Sequence, residues 1–201
     1  MNKPAIIILL LLTVAIISYF AIRPKADTPS NPITTQNQTT TYTDESGLQF
    51  DYRTGPEGYV LGKALPSVET TSSNVFLRTV YLTSTADTIQ EVPVGGEGPQ
   101  MITVHIYKNT KNQSSSVWAN ANPSASGIDR KMGEPQETVV GGANAVRYMA
   151  DGLYATDTVV VAHGGYMYVI GGMFIDEESQ IRKDFGSFLD SIRFVQTPEQ
   201  Q

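Results

Sequence analysis

The feature that most constrains the fold is a series of β-rich runs in the second half of the chain, joined by very short glycine turns. The runs lie at residues 137–140, 143–150, 153–162 and 166–174. The connections between them contain Gly141-Gly142, Asp151-Gly152 and His163-Gly164-Gly165. Because glycine turns this short join antiparallel neighbours, the pattern predicts an antiparallel meander of four strands.

Weaker strand patterns precede the meander. They lie at residues 48–52, 59–61, 75–84 and 101–108. In the first of them hydrophobic and polar residues alternate, as in a strand with one buried face. Between the last of them and the meander, Ser114-Ser115-Ser116 offers N-cap hydroxyls for a short helix at residues 117–122, which Pro123 ends.

The domain closes with an amphipathic helix. Asp176 is the predicted N-cap, and the apolar residues that follow fall on one stripe. These residues are Ile181, Phe185, Phe188, Leu189 and Ile192. Such a stripe must pack on another apolar surface, and the meander supplies one. The predicted fold class is therefore α+β, with a central antiparallel β-sheet flanked by helices.

Several segments together resemble the PsbP/Mog1-like fold family. They are GLQFDYRTGPEGYVL near the start of the domain, VVGGANAVRYMADG, the HGG turn, and the closing DFGSFLDSIRF. The resemblance covers residues 48–194 and implies an α/β/α sandwich whose first two strands form a hairpin. It also implies a binding or assembly module. The residues through which photosynthetic members contact manganese or photosystems have no match here, so no cofactor is expected.

An apolar run at the N-terminus predicts attachment to a membrane. Ala5 to Ile22 contains no charged residue and would span about 27 Å as a helix, close to the thickness of a lipid bilayer core. A cleaved signal peptide is the alternative, but its apolar region is shorter. The predicted organisation is a signal anchor at 1–22, a disordered Pro/Thr-rich tether at 23–44, the α+β domain at 45–196 and a tail at 197–201. The domain is expected outside the cytoplasm.

The charge balance and the absence of cysteine exclude several function classes. The chain has 14 Lys and Arg against 20 Asp and Glu, and no cluster of basic and aromatic residues, so nucleic acid is not an expected partner. Zero cysteine excludes disulfides, thiolate metal sites, a cysteine nucleophile and a lipid-modified cysteine. The apolar helix is therefore the expected contact with the bilayer.

Three residues are candidates for chemistry or binding. His163 and Asp157 could serve a serine hydrolase, but no G-x-S-x-G or S-x-x-K motif supplies the nucleophile. The simpler interpretation makes His163 a turn residue and places Asp157 at a bulge or sheet edge that exposes it. Trp118 is either an exposed recognition anchor or the residue that docks the short helix on the sheet. His105 is expected to be a partly buried strand residue, and no metal site is predicted.

Two functions remain open at the level of sequence. The favoured one is a non-enzymatic, membrane-tethered module outside the cytoplasm that binds a ligand or a protein partner. The alternative is an extracytoplasmic serine hydrolase that uses His163 and Asp157.

Overall fold

A computed structural model describes residues 37–65, 75–88 and 98–195. The predicted anchor at Ala5 to Ile22 and the predicted tail at 197–201 lie outside these residues. Within the described ranges, no helix is both long and apolar enough to cross a membrane.

The described residues form ten strands and four short α-helices. The strands are β1 (Gln38–Thr43), β2 (Leu48–Thr54), β3 (Tyr59–Ala64), β4 (Phe76–Ser84), β5 (Met101–Lys108), β6 (Lys131–Val140), β7 (Ala143–Ala150), β8 (Ala155–His163), β9 (Tyr166–Phe174) and β10 (Arg193–Phe194). The helices are α1 (Thr85–Thr88), α2 (Ser115–Ala121), α3 (Pro123–Ser126) and α4 (Gln180–Ser191), with one 3-10 turn at Ile128–Arg130.

Seven strands form the main sheet, in the order β3-β4-β5-β9-β8-β7-β6, and all neighbours are antiparallel. The predicted meander is confirmed as β6 to β9. Gly141 and Gly142 have φ angles of 59° and 80°, and Gly164 and Gly165 have 57° and 78°. Two consecutive residues with positive φ are what a tight hairpin of this twist requires, so glycine is needed at both turns.

A second sheet, in the order β1-β2-β10, corrects two predictions. The first two predicted strands do not form a hairpin, because β2 belongs to this small sheet and β3 to the main one. The disordered tether predicted at 23–44 is wrong for residues 38–44. Five of the six residues of β1 are exposed, so the strand lacks an apolar pattern. It is held by backbone pairing with β2 and by the packing of Tyr42 on Phe50, with ring centroids 5.0 Å apart.

Hydrophobic side chains cover both faces of the main sheet. On one face α4 and the small sheet pack against residues that include Val159, Val161 and Ile170. On the other face α2 packs against residues that include Val160 and Val169. Neighbouring residues of β8 point to opposite faces of the sheet. Helices α4 and α2 therefore lie on opposite sides of the sheet, as in the predicted sandwich.

Helix α4 presents the predicted stripe, but it begins later than expected. Ile181, Phe185 and Phe188 are buried. The helix starts at Gln180 with Ser179 at the N-cap, and Asp176 is therefore not the cap. Its carboxylate instead accepts a hydrogen bond from the backbone N–H of Glu178 at 2.9 Å, which closes a turn ahead of the helix.

Gly172 in β9 sets how closely α4 can approach the sheet. A Cβ atom there would lie 2.6 Å from Cγ of Phe185, so Gly172→Ala is expected to lower the free energy of unfolding by about 2 kcal/mol. Gly186→Ala is the control, because a Cβ on that exposed face of α4 meets nothing within 4 Å, and it should stabilise the helix by about 1 kcal/mol. Urea unfolding followed by circular dichroism measures both. Equal effects would contradict the packing of Phe185 on β9.

Candidate functional site

Asp157 lies in the middle of the main sheet and is only 2% exposed. Nε and Nη2 of Arg147 donate to its two oxygens at 2.8 and 2.6 Å, and Nη1 of Arg182 donates at 2.5 Å. Burial alone would raise the pKa of Asp157, but the hydrogen bonds and charges of the two arginines outweigh it and lower the pKa. The prediction that a bulge or sheet edge exposes Asp157 is wrong: two ion pairs compensate the buried charge.

His163 ends β8 at the hairpin turn and is exposed. Its imidazole stacks on Phe194 with ring centroids 4.4 Å apart. Asp157 lies six residues away on the same strand, a separation of about 20 Å at the rise of a β-strand. Since the arginines already occupy the carboxylate, the structure does not bring His163 and Asp157 together, and no observation favours the hydrolase.

Trp118 is fully buried between α2 and the main sheet. Its ring packs on Tyr107 with centroids 5.1 Å apart. The side chain therefore docks the short helix and is not an exposed recognition anchor. Its Nε1 is one of two buried side-chain polar atoms that have no hydrogen-bond partner within the part of the chain that the structure describes.

A second buried carboxylate, Asp44, joins the small sheet to β4. The hydroxyl of Tyr42 donates to it at 3.0 Å, Ser46 donates from its backbone N–H and hydroxyl at 2.7 and 2.6 Å, and Arg78 donates from Nε at 2.8 Å. Burial would raise the pKa of Asp44, but hydrogen bonds from Arg78 and Ser46 outweigh it and lower the pKa. All acceptor positions are in use, so this cluster stabilises the fold.

One cavity, of about 380 Å³, lies between β2, α4 and the main sheet. Three of its polar groups pair with one another: Asp184 accepts from Nη2 of Arg53 at 2.6 Å and from the hydroxyl of Tyr59 at 2.7 Å. Burial and then the hydrogen bond to Asp184 raise the pKa of Tyr59, so this hydroxyl remains a donor. The three groups hold α4 against the two sheets and leave little unused bonding capacity for a ligand.

A second cavity, of about 430 Å³, is an open cleft on the face of the main sheet that carries α2. We call it the threonine cleft. Its floor is formed by strand residues of two kinds. The polar ones and a glycine are Thr103, His105, Thr156, Thr158 and Gly171, and the apolar ones are Met101, Ala150, Val169 and Met173. Its rim is formed by Gly98-Pro99, residues 124–127, Arg130 and residues 151–154.

The floor of the threonine cleft offers unused hydrogen-bonding groups. Thr103 and Thr158 are each 4% exposed, and neither hydroxyl bonds to another of the described residues. His105, partly buried as predicted, places Nδ1 2.7 Å from the hydroxyl of Thr79. Burial lowers the pKa of His105, so the imidazole is neutral at pH 7. Concave sites with a few unpaired polar groups are where small ligands bind, so this cleft is the candidate functional site.

The described residues contain no group of three or more His, Asp or Glu side chains placed to hold a metal ion. The threonines of the cleft carry no motif in the sequence. The signal that marks them is the alternation of Thr103 and His105 with Ile102, Val104 and Ile106 along β5, which indicates a strand with one polar face.

No protein-family model and no curated protein sequence matches this chain. Among solved structures, the chain is similar to cyanobacterial PsbP (CyanoP) from Synechocystis sp. PCC 6803, determined in solution. The two are 10% identical, the match covers 86% of this chain and 100% of that chain, and the TM-score is 0.50. An identity this low shows the fold and transfers no functional residue. The resemblance of the sequence segments is thereby confirmed, and the chain has a PsbP-like fold.

Proposed function

We propose that this chain is a non-enzymatic binding module that a single N-terminal helix tethers to a membrane, with its domain outside the cytoplasm. The uncharged run from Ala5 to Ile22 supports the tether. Lys3 precedes this run and Arg23 and Lys25 follow it, so the flanking charges are nearly balanced and the orientation of the helix is a matter for the topology experiment.

The observation that carries the binding function is the threonine cleft. Thr103 and Thr158 are largely buried, yet their hydroxyls bond to no other described residue and open to the solvent of the cleft. A threonine hydroxyl that pairs only with water can exchange that water for a polar group of a ligand. Preformed hydroxyls at the floor of a concave site therefore support a binding function.

The topology is tested with a C-terminal epitope tag on the full chain in intact cells or spheroplasts. Added protease is expected to remove the tag, because the domain would be exposed outside the cytoplasm. A cytoplasmic marker protein must survive the same treatment, and permeabilised cells must lose both signals. Protection of the tag in intact cells, with loss after permeabilisation, would contradict the proposed topology.

A further inference from the structure

We propose that the threonine cleft binds an uncharged, hydroxyl-rich small molecule, a sugar or a polyol, with its hydroxyl groups held by Thr103 and Thr158 above Gly171. This inference rests on the proposed binding function and names the class of ligand. Three features of the cleft carry it: the glycine at its floor, the two unpaired hydroxyls and the absence of net charge.

The two consecutive glycines of β9 have different surroundings. Gly172 faces α4, and the ring of Phe185 occupies the space beside it. Gly171 faces the cleft, and a Cβ there would meet only Thr156 at 3.1 Å and Thr103 at 3.2 Å. A glycine inside a central strand weakens the strand, and it commonly marks a place where a ligand approaches the backbone closely. The absence of a side chain at Gly171 therefore leaves a narrow notch that opens into the threonine cleft.

Thr103 and Thr158 flank this notch. Both pair with Gly171 in the sheet register, one from β5 and one from β8. Two strand spacings place their backbones about 10 Å apart, which is a distance that a six-membered sugar ring with its hydroxyls can bridge. A threonine hydroxyl both donates and accepts, as a sugar hydroxyl does, so the two kinds of group satisfy each other fully.

The charges around the cleft favour an uncharged ligand. The floor carries hydroxyls, a neutral imidazole and apolar side chains, so a buried ligand charge would find no counter-ion there. At the rim, Arg130 and Asp151 carry opposite charges, and their backbones are joined by a hydrogen bond of 2.9 Å from Asp151 N–H to the carbonyl of Arg130. Nε of Arg130 also lies 4.0 Å from a carboxylate oxygen of Asp129, so the rim carries no net positive charge that would favour an anion.

The test uses the full chain in lipid nanodiscs and saturation-transfer NMR. The probes are neutral sugars and polyols (glucose, galactose, mannose, N-acetylglucosamine, inositol), with glucuronate as the charged analogue of glucose and cyclohexanol as a ring nearly without hydroxyls. We expect at least one neutral probe to bind with a Kd on the order of 1 mM or tighter. Cyclohexanol should not bind, and glucuronate should bind more weakly than glucose if glucose binds.

Variants connect binding to the cleft. Thr103→Val and Thr158→Val are each expected to weaken binding about fivefold, the loss of one neutral hydrogen bond. The same variants should change the Tm of the ligand-free protein by less than about 2 °C, because each hydroxyl is open to solvent in the cleft and its removal relieves no buried unpaired group. Gly171→Ala should weaken binding more strongly by filling the notch. The control is Thr83→Val, since Thr83 is also buried but does not line the cleft, and its binding should equal that of the wild type.

The outcomes separate the ligand class from the proposed function. Three results would overturn the inference. The first is a sugar whose binding is unchanged in Thr103→Val, Thr158→Val and Gly171→Ala. The second is tighter binding of glucuronate than of glucose, and the third is no binding of any neutral probe up to about 20 mM. In the last case a metabolite screen on the same nanodiscs decides further. If a ligand of another class binds and Gly171→Ala abolishes that binding, the proposed binding function stands and only the ligand class is wrong. If no ligand binds at all, the result counts against both the ligand class and the proposed function.

Discussion

Replacing both Arg147 and Arg182 with methionine is expected to lower the free energy of unfolding by about 4 kcal/mol at pH 7, because it leaves the buried Asp157 carboxylate without a partner. Each single variant keeps one ion pair and should cost about 1 kcal/mol, so the double variant should lose more than the sum of the two. Urea unfolding followed by the fluorescence of Trp118 measures all three. The control is Arg193→Met, whose side chain is half exposed beside Asp51 and should change stability by less than about 0.5 kcal/mol.

The pH dependence of the double variant identifies Asp157 as the cause. In the wild type the lowered pKa of Asp157 means that its ion pairs stabilise the fold above the unfolded pKa of about 3.9 and are lost as the pH falls through the folded pKa. Without the arginines, burial raises the folded pKa, so protonation on acidification removes the unpaired charge. The difference in the free energy of unfolding between the wild type and the double variant should therefore become smaller as the pH falls from 7 to 4. A constant difference would contradict this account.

Trp118→Ala is expected to lower the free energy of unfolding by about 4 kcal/mol, because the ring is fully buried and its removal leaves a large cavity under α2. Since Nε1 bonds to none of the described residues, packing and not hydrogen bonding supplies the stabilisation. Trp118→Phe keeps most of the packing and should cost only about 1–2 kcal/mol. Thermal unfolding followed by far-ultraviolet circular dichroism measures both variants.

Val117→Ala is the matched control for the same helix, because Val117 is 55% exposed and its neighbour Trp118 is not. Its effect should stay within about 0.5 kcal/mol. A loss below about 1 kcal/mol for Trp118→Ala would show that the indole does not dock α2, and an exposed recognition role for Trp118 would then be favoured.

The parts of the fold that the sequence predicts are those that a local signal determines. Gly141-Gly142 and Gly164-Gly165 indicate turns because their positive φ angles exclude most other residues. The apolar stripe of α4 follows from its helical period, and the alternation in β5 follows from the two faces of a strand. Each of these signals lies within about a dozen residues, so no knowledge of tertiary contacts is needed.

The parts that the sequence does not predict depend on contacts between distant residues. The local sequence around Asp157 indicates an exposed charge, because its partner Arg182 lies 25 residues later, in α4. The local sequence around Asp44 indicates part of a tether, because its partner Arg78 lies 34 residues away. The threonine cleft combines residues of β5, β8 and β9, and only the strand order makes them neighbours. The site is therefore less predictable than the fold that supports it.

If the proposed N-terminal anchor holds this chain at a bilayer, strand β1 limits the length of the tether that follows the anchor. Since Gln38 already pairs with Thr54, the proposed tether is left with the fifteen residues 23–37. A chain of that length spans at most about 50 Å when extended and about 20 Å on average. The domain would then be confined to a thin layer above the lipid headgroups. A membrane-embedded partner that projects into this layer would meet it at a high effective concentration, whereas a partner in free solution would gain nothing from the tether.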